Sequence, residues 1–181
     1  MGFEDEIEAR SARRVRPPRP EADVERFVSL LRAELLDLFE FLDSRLGRQR
    51  VKIGSKGFFA KPVYSPDGFL LYRRDNSSLV ESKSGLKPSV HLGELELVLP
   101  DGHLWKFKHP WPRQNAHPPA YGLVDVADSY RRSGRVVIAC KEVYMTGSEL
   151  RVHDEGWSSE GNDTFHNFLI SLAESKLRST T

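Results

Sequence analysis

The chain has one cysteine, Cys140, in 181 residues. An intrachain disulfide is thereby excluded, as is a cysteine metal cluster. A reducing compartment is favoured. Long apolar runs are missing too. No stretch approaches the roughly 20 apolar residues of a spanning helix, so no membrane contact is expected. The N-terminus, Met1-Gly2-Phe3-Glu4-Asp5-Glu6, is acidic where a signal peptide would be basic, and Glu6 stands where myristoylation needs Ser or Thr. The expected location is the cytoplasm. Net charge is only +1, so no global attraction draws the protein to DNA, lipid or acidic ligands, and any electrostatic argument must be local. A Gly-x-Ser-x-Gly elbow is absent. Gly54-Ser55-Lys56-Gly57 lacks the glycine and Lys-Ser/Thr spacing of a phosphate loop.

What is present is a change of character near Gly47. From Glu21 to Asp43, seven acids (Glu21, Asp23, Glu25, Glu34, Asp37, Glu40, Asp43) face only Arg26 and Arg32, a net of −5. From Arg48 to Arg74, seven bases (Arg48, Arg50, Lys52, Lys56, Lys61, Arg73, Arg74) face only Asp67, a net of +6. Opposite blocks of this size need partners, in the chain or outside it.

The hydrophobic fraction of 39% and the charged fraction of 29% suit one folded domain of this length. Residues 1–20 read as an arm. Arg10, Arg13, Arg14, Arg16 and Arg19 follow an acidic start, and Pro17, Pro18 and Pro20 close the segment. Residues 21–181 then form a single domain. Its clearest element is a helix over 21–46, capped by Gly47. Val24, Val28, Leu31, Leu35, Leu38 and Leu42 make its seam. Phe27, Leu30, Leu36, Phe39, Phe41 and Leu46 widen the seam, so burial on more than one side is expected.

Residues 50–108 read as strands. Ser65-Pro66-Asp67-Gly68 and Leu99-Pro100-Asp101-Gly102 are turns, and Asp75-Asn76-Ser77-Ser78 is taken as another. Glu94 and Glu96 share one strand face, read as solvent-facing. Residues 109–122 contain four prolines, which excludes a helix or a central strand. A short helix is expected within Leu123–Arg132. Val136–Cys140 should be a central strand, with Cys140 a small buried hydrophobe. Asp163 can cap a final helix ending near Leu177. The fold class is α+β: a mostly antiparallel twisted sheet packed against a long N-terminal helix and a C-terminal helix.

The candidate sites follow from these elements. Arg13, Arg14 and Arg16 of the arm, with Arg48, Arg50, Lys52 and Lys56 among the aromatics of the basic block, could meet phosphates. Trp111, Arg113 and Tyr121 in the proline-rich loop form a recognition surface. His103, His109 and His117 are the candidate metal ligands. Pro66-Asp67 followed by Glu81-Ser82-Lys83 resembles the Pro-Asp…Asp/Glu-x-Lys signature of metal-dependent nucleases. The resemblance covers some 18 residues. It implies Asp67 and Glu81 as ligands of a divalent cation and Lys83 as the helper of the attacking water.

The preferred reading is a non-catalytic cytoplasmic binding or adaptor protein, without a cofactor. It would meet a protein partner, or a second copy of itself, through helix 21–46 and loop 109–122. A nucleic-acid-binding protein is the alternative, and a nuclease the third reading.

Overall fold

The computed structural model describes residues 19–56, 61–82, 85–109, 120–154 and 163–179. The candidate residues Arg13, Arg14, Arg16, Lys83, Trp111, Arg113 and His117 lie outside them, as do the side chains of Lys56 and Glu81.

The first helix, α1, spans Glu21–Asp43. Pro20 stays extended (φ −55°, ψ 138°) and its carbonyl accepts from Asp23 and Val24. Glu21 and Asp23 then meet the positive end of the helix dipole. The helix stops at Asp43, short of the expected Leu46. Ser44 Oγ donates to the Phe41 carbonyl at 2.8 Å and so competes with the next helical bond. Arg48 folds back onto Asp43 with two bonds of 2.9 and 2.8 Å.

Three antiparallel sheets follow. Strands β1 (Lys52–Lys56) and β2 (Lys61–Tyr64) pair only with each other. Strands β3 (Phe69–Ser82), β4 (Gly85–Val98), β5 (Leu104–Lys108) and β6 (Ala120–Leu123) form a four-stranded meander. Helix α2 (Val126–Ser133) leads to β7 (Val136–Ile138), β8 (Lys141–Thr146), β9 (Glu149–Asp154) and β10 (Asp163–Thr164), the second four-stranded sheet. Helix α3 (Phe165–Arg178) closes the chain. The class is α+β, as the pattern predicts. No helix among the described residues is long and apolar enough to cross a membrane.

The end of the meander around Phe69, Leu97 and Trp105 is covered on both faces. Phe69, Leu71, Val98 and Leu104 meet α1, with the Phe39 and Phe69 rings edge-on at 5.0 Å. Leu95, Leu97, Trp105 and Phe107 point the other way, where Ile53 of the β1–β2 hairpin covers them. The second sheet brings Val136, Ile138, Val143, Leu150 and Val152 to the core that holds α1, and α3 adds Phe165, Leu169 and Ala173. Each such side chain contributes about 2 kcal/mol through burial. The helix α1 is therefore enclosed on several sides, and Phe27 stacks on Tyr130 of α2 at 3.8 Å.

The two Pro-Asp-Gly turns join different elements. Leu99–Gly102 joins paired strands, but β2 pairs with β1, so Ser65–Gly68 carries the chain between sheets. Residues 75–78 lie inside β3 rather than in a turn, because their backbones pair with β4 through Ser89. The segment 136–140 is not a central strand. It ends at Ile138, and β7 is an edge strand paired only with β8. Cys140 is exposed in the two-residue turn that follows, where Ala139 (φ 47°) and Cys140 (φ 63°) both take the left-handed conformation of a type I′ turn.

Candidate functional site

An apolar hollow lies between the C-terminal half of α1 and α3. On α1, Glu34, Asp37, Leu38 and Phe41 fall at i, i+3, i+4 and i+7, so one face carries all four. On α3, Thr164 caps the first turn by accepting from the Asn167 N–H at 3.1 Å, which fixes where the helix starts. His166, Leu169, Ile170 and Ala173 then face α1. Leu38, Leu169 and Ala173 are buried and form the floor. Phe41 (38% exposed) and Ile170 (46%) remain open to solvent. The hollow measures about 330 Å³.

The rim is acidic: Glu34, Asp37 and Glu174. His166 Nδ1 lies 2.8 Å from Glu34 Oε2. The hydrogen bond to Glu34, and then its charge, hold the imidazole above its ordinary value, with a further push from Asp37. Arg178 reaches Glu174 one turn away at 3.0 Å. The Arg45 guanidinium sits over the Phe41 ring at 4.4 Å. The arrangement offers an apolar slot with carboxylates along its edges.

A second polar cluster lies on the meander, beyond the part of its face covered by α1. Cross-strand register sets Arg74 beside Glu94 beside Lys108, and Tyr72 beside Glu96 beside Lys106. Glu94 Oε1 is 3.1 Å from Arg74 and 3.3 Å from Lys108. Glu96 is not solvent-facing as alternation alone suggests: it is 4% exposed, because the β7–β8 turn covers it. Its Oε2 accepts from the Ala139 N–H at 3.0 Å and lies 3.4 Å from Lys106 Nζ, while Oε1 is buried without a partner. Burial raises this carboxyl, against the opposing charge of Lys106. The hydrogen bond between Tyr72 and Cys140 raises the Tyr72 phenol.

Comparison with models of protein families, with curated proteins and with solved structures finds no match for this chain.

The residues expected to act together are placed as follows. Asp67 is held by Arg50 at 2.6 and 3.3 Å. It precedes β3, while Glu81 sits near the far end of that 14-residue strand. Roughly 40 Å of extended chain separates the two backbone positions. His103 lies 2.8 Å from Asp101, before β5. His109 follows the other end of β5, roughly 20 Å along the strand. These two imidazoles do not converge. Among the described residues, no group of three or more His, Cys, Asp or Glu side chains is placed to hold a metal.

The basic block is largely answered from within. Arg48 pairs with Asp43, Arg50 with Asp67, Arg73 with Asp75 and Arg74 with Glu94. Lys52 is exposed on β1, opposite Tyr64, which is 51% exposed. Tyr121, on the edge strand β6, is 61% exposed. The sequence reading named the α1 half of the hollow but not His166, Ile170 or Glu174. Their helix was marked by the cap at Asp163 and by the inward spacing of Phe165, Phe168, Leu169, Leu172 and Leu177, and a helical period does not reveal which exposed residues border a gap.

Proposed function

We propose that this protein is a non-catalytic docking module, and that the slot between α1 and α3 receives a basic amphipathic helix from a partner protein. One observation carries the reading: Phe41 and Ile170 stand open above a buried apolar floor, edged by three carboxylates. An amphipathic helix lays apolar anchors at i, i+3 and i+7 into such a slot, while lysines or arginines flanking its apolar face would meet Glu34, Asp37 and Glu174. The same charges disfavour a second copy in this slot, since two acidic rims would face each other. The chemistry is recognition, with Glu34 and His166 engaged with each other.

Calorimetric titration with a 14-residue leucine–lysine amphipathic peptide tests this. Micromolar binding is expected, with the leucine–glutamate counterpart at least about tenfold weaker. Phe41→Ser and Ile170→Ser should each weaken the lysine peptide by about tenfold. Equal binding of the two peptides, or no effect of either serine, refutes the proposal.

The exposed Tyr64 opposite Lys52 favours a second reading, in which the β1–β2 hairpin stacks on and neutralises single-stranded nucleic acid. A gel shift in low salt that disappears in Lys52→Gln and Tyr64→Ser would support it, and a shift indifferent to both would remove it.

A further inference from the structure

A second hollow shares no residue with the helix slot. It opens between β5, α2 and β7 and measures about 380 Å³. Three cations line it from three parts of the chain: Lys106 on β5, Arg132 in the last turn of α2, and Arg135 just before β7. Among the described residues, no carboxylate lines it. Their acid partners stand outside it. Arg132 reaches back to Asp128 at 2.6 Å, Arg135 goes to Glu142 at 2.7 Å, and Lys106 lies 3.4 Å from Glu96. Each cation is offset by its own carboxylate from outside, and all three border one cavity.

We propose that this hollow binds a small phosphomonoester. Two guanidiniums offer planar forks that match phosphate oxygens, and the lysine adds a point charge. Ser129 brings a hydroxyl to the same wall. Val124 and Val136 supply an apolar side for the organic part of the ligand. The volume falls in the range of small-molecule sites and exceeds what a bare phosphate needs. A phosphate here would share Arg132 with Asp128 and Arg135 with Glu142. Those pairs hold the guanidiniums in place before the ligand arrives. They also lower its affinity, since each carboxylate already offsets part of the positive charge.

The test is an NMR titration of the full chain with phenyl phosphate at low ionic strength. Saturable shifts are expected at the amides of Ser129 to Val137, with inorganic phosphate several-fold weaker. Arg132→Gln should weaken binding by about tenfold without changing the melting temperature, because its carboxylate partner is exposed. Asp128→Asn should tighten binding, because it releases Arg132 from its competitor. No saturable shift by about 10 mM ligand overturns the proposal. So does undiminished binding in Arg132→Gln, or weaker binding in Asp128→Asn. Equal affinity for inorganic phosphate and phenyl phosphate overturns the assignment of an organic ester.

Discussion

Ala139 and Cys140 hold a conformation that favours asparagine and glycine. Each non-glycine residue there costs about 1 kcal/mol. What keeps the turn in place is Glu96, whose buried carboxylate accepts from the Ala139 N–H. Ala139→Asn should stabilise the protein by about 0.5 kcal/mol in urea unfolding, since asparagine suits the left-handed position and the change keeps both the Glu96 and the Tyr72–Cys140 hydrogen bonds. A destabilised variant would show that the φ angle at Ala139 is not a source of strain. Glu96→Ala should cost about 2 kcal/mol, because it orphans a buried N–H and leaves Lys106 without its carboxylate. Glu96 also sets a pH dependence. Burial raises its pKa on folding, so its contribution to stability is greatest in acid and declines as pH rises above the ordinary value of 4.5. Glu96→Gln should remove that decline and gain on the parent between about pH 4 and about pH 7. A constant difference across that range would contradict the assigned shift. Neither residue was legible in the sequence. Val-Val-Ile-Ala-Cys carries no turn signal, and alternation cannot tell that a hairpin from another sheet will cover the second face of a strand.

Elements were easier to read than their ends. The seam of α1 is plain in the sequence, and so is the α3 pattern. The stop at Asp43 depends on the Ser44 hydroxyl and the return of Arg48, which periodicity does not encode. Pairing was harder still. Two similar Pro-Asp-Gly turns serve different connections, because partner choice is decided by which sheet face each strand can cover. The turn Leu99–Gly102 also clamps α1. Arg32 Nε donates to the Asp101 carbonyl at 3.0 Å, and Gly102 has φ +74°. A Cβ at Gly102 would lie 2.9 Å from the Arg32 carbonyl oxygen, so Gly102→Ala should destabilise by about 2 kcal/mol in the same unfolding assay. A loss under about 0.5 kcal/mol would show that the helix can move away from the turn. Helices α1 and α3 are joined across their polar edges by His166 and Glu34. With the imidazole raised above 6.5, the pair adds to stability at lower pH and loses that effect as pH climbs through the raised value. NMR titration should place His166 above its ordinary value and return it towards that value in Glu34→Gln. An unchanged midpoint in that variant would exclude the contact in solution.

For the whole molecule, the opposite charge blocks visible in the sequence find much of their answer inside the chain. The bonds Arg48–Asp43 and Arg50–Asp67 close over the junction between α1 and the first hairpin. The acidic edge of α1 where it meets α3 lies beside the exposed apolar side chains Phe41 and Ile170. The slot was hidden from the sequence because Glu34 and His166 stand 132 residues apart, and only the packing of both helices on the two sheets brings them together. If partner recognition rests on an apolar slot with an anionic rim, reversing the rim must reverse the choice of peptide. The most direct measurement is a titration of the Asp37→Lys, Glu174→Lys protein with the leucine–lysine and leucine–glutamate peptides. The glutamate peptide should now bind the more tightly, by about tenfold. An unchanged preference for the lysine peptide, in a protein that keeps its melting temperature, would contradict docking at this slot.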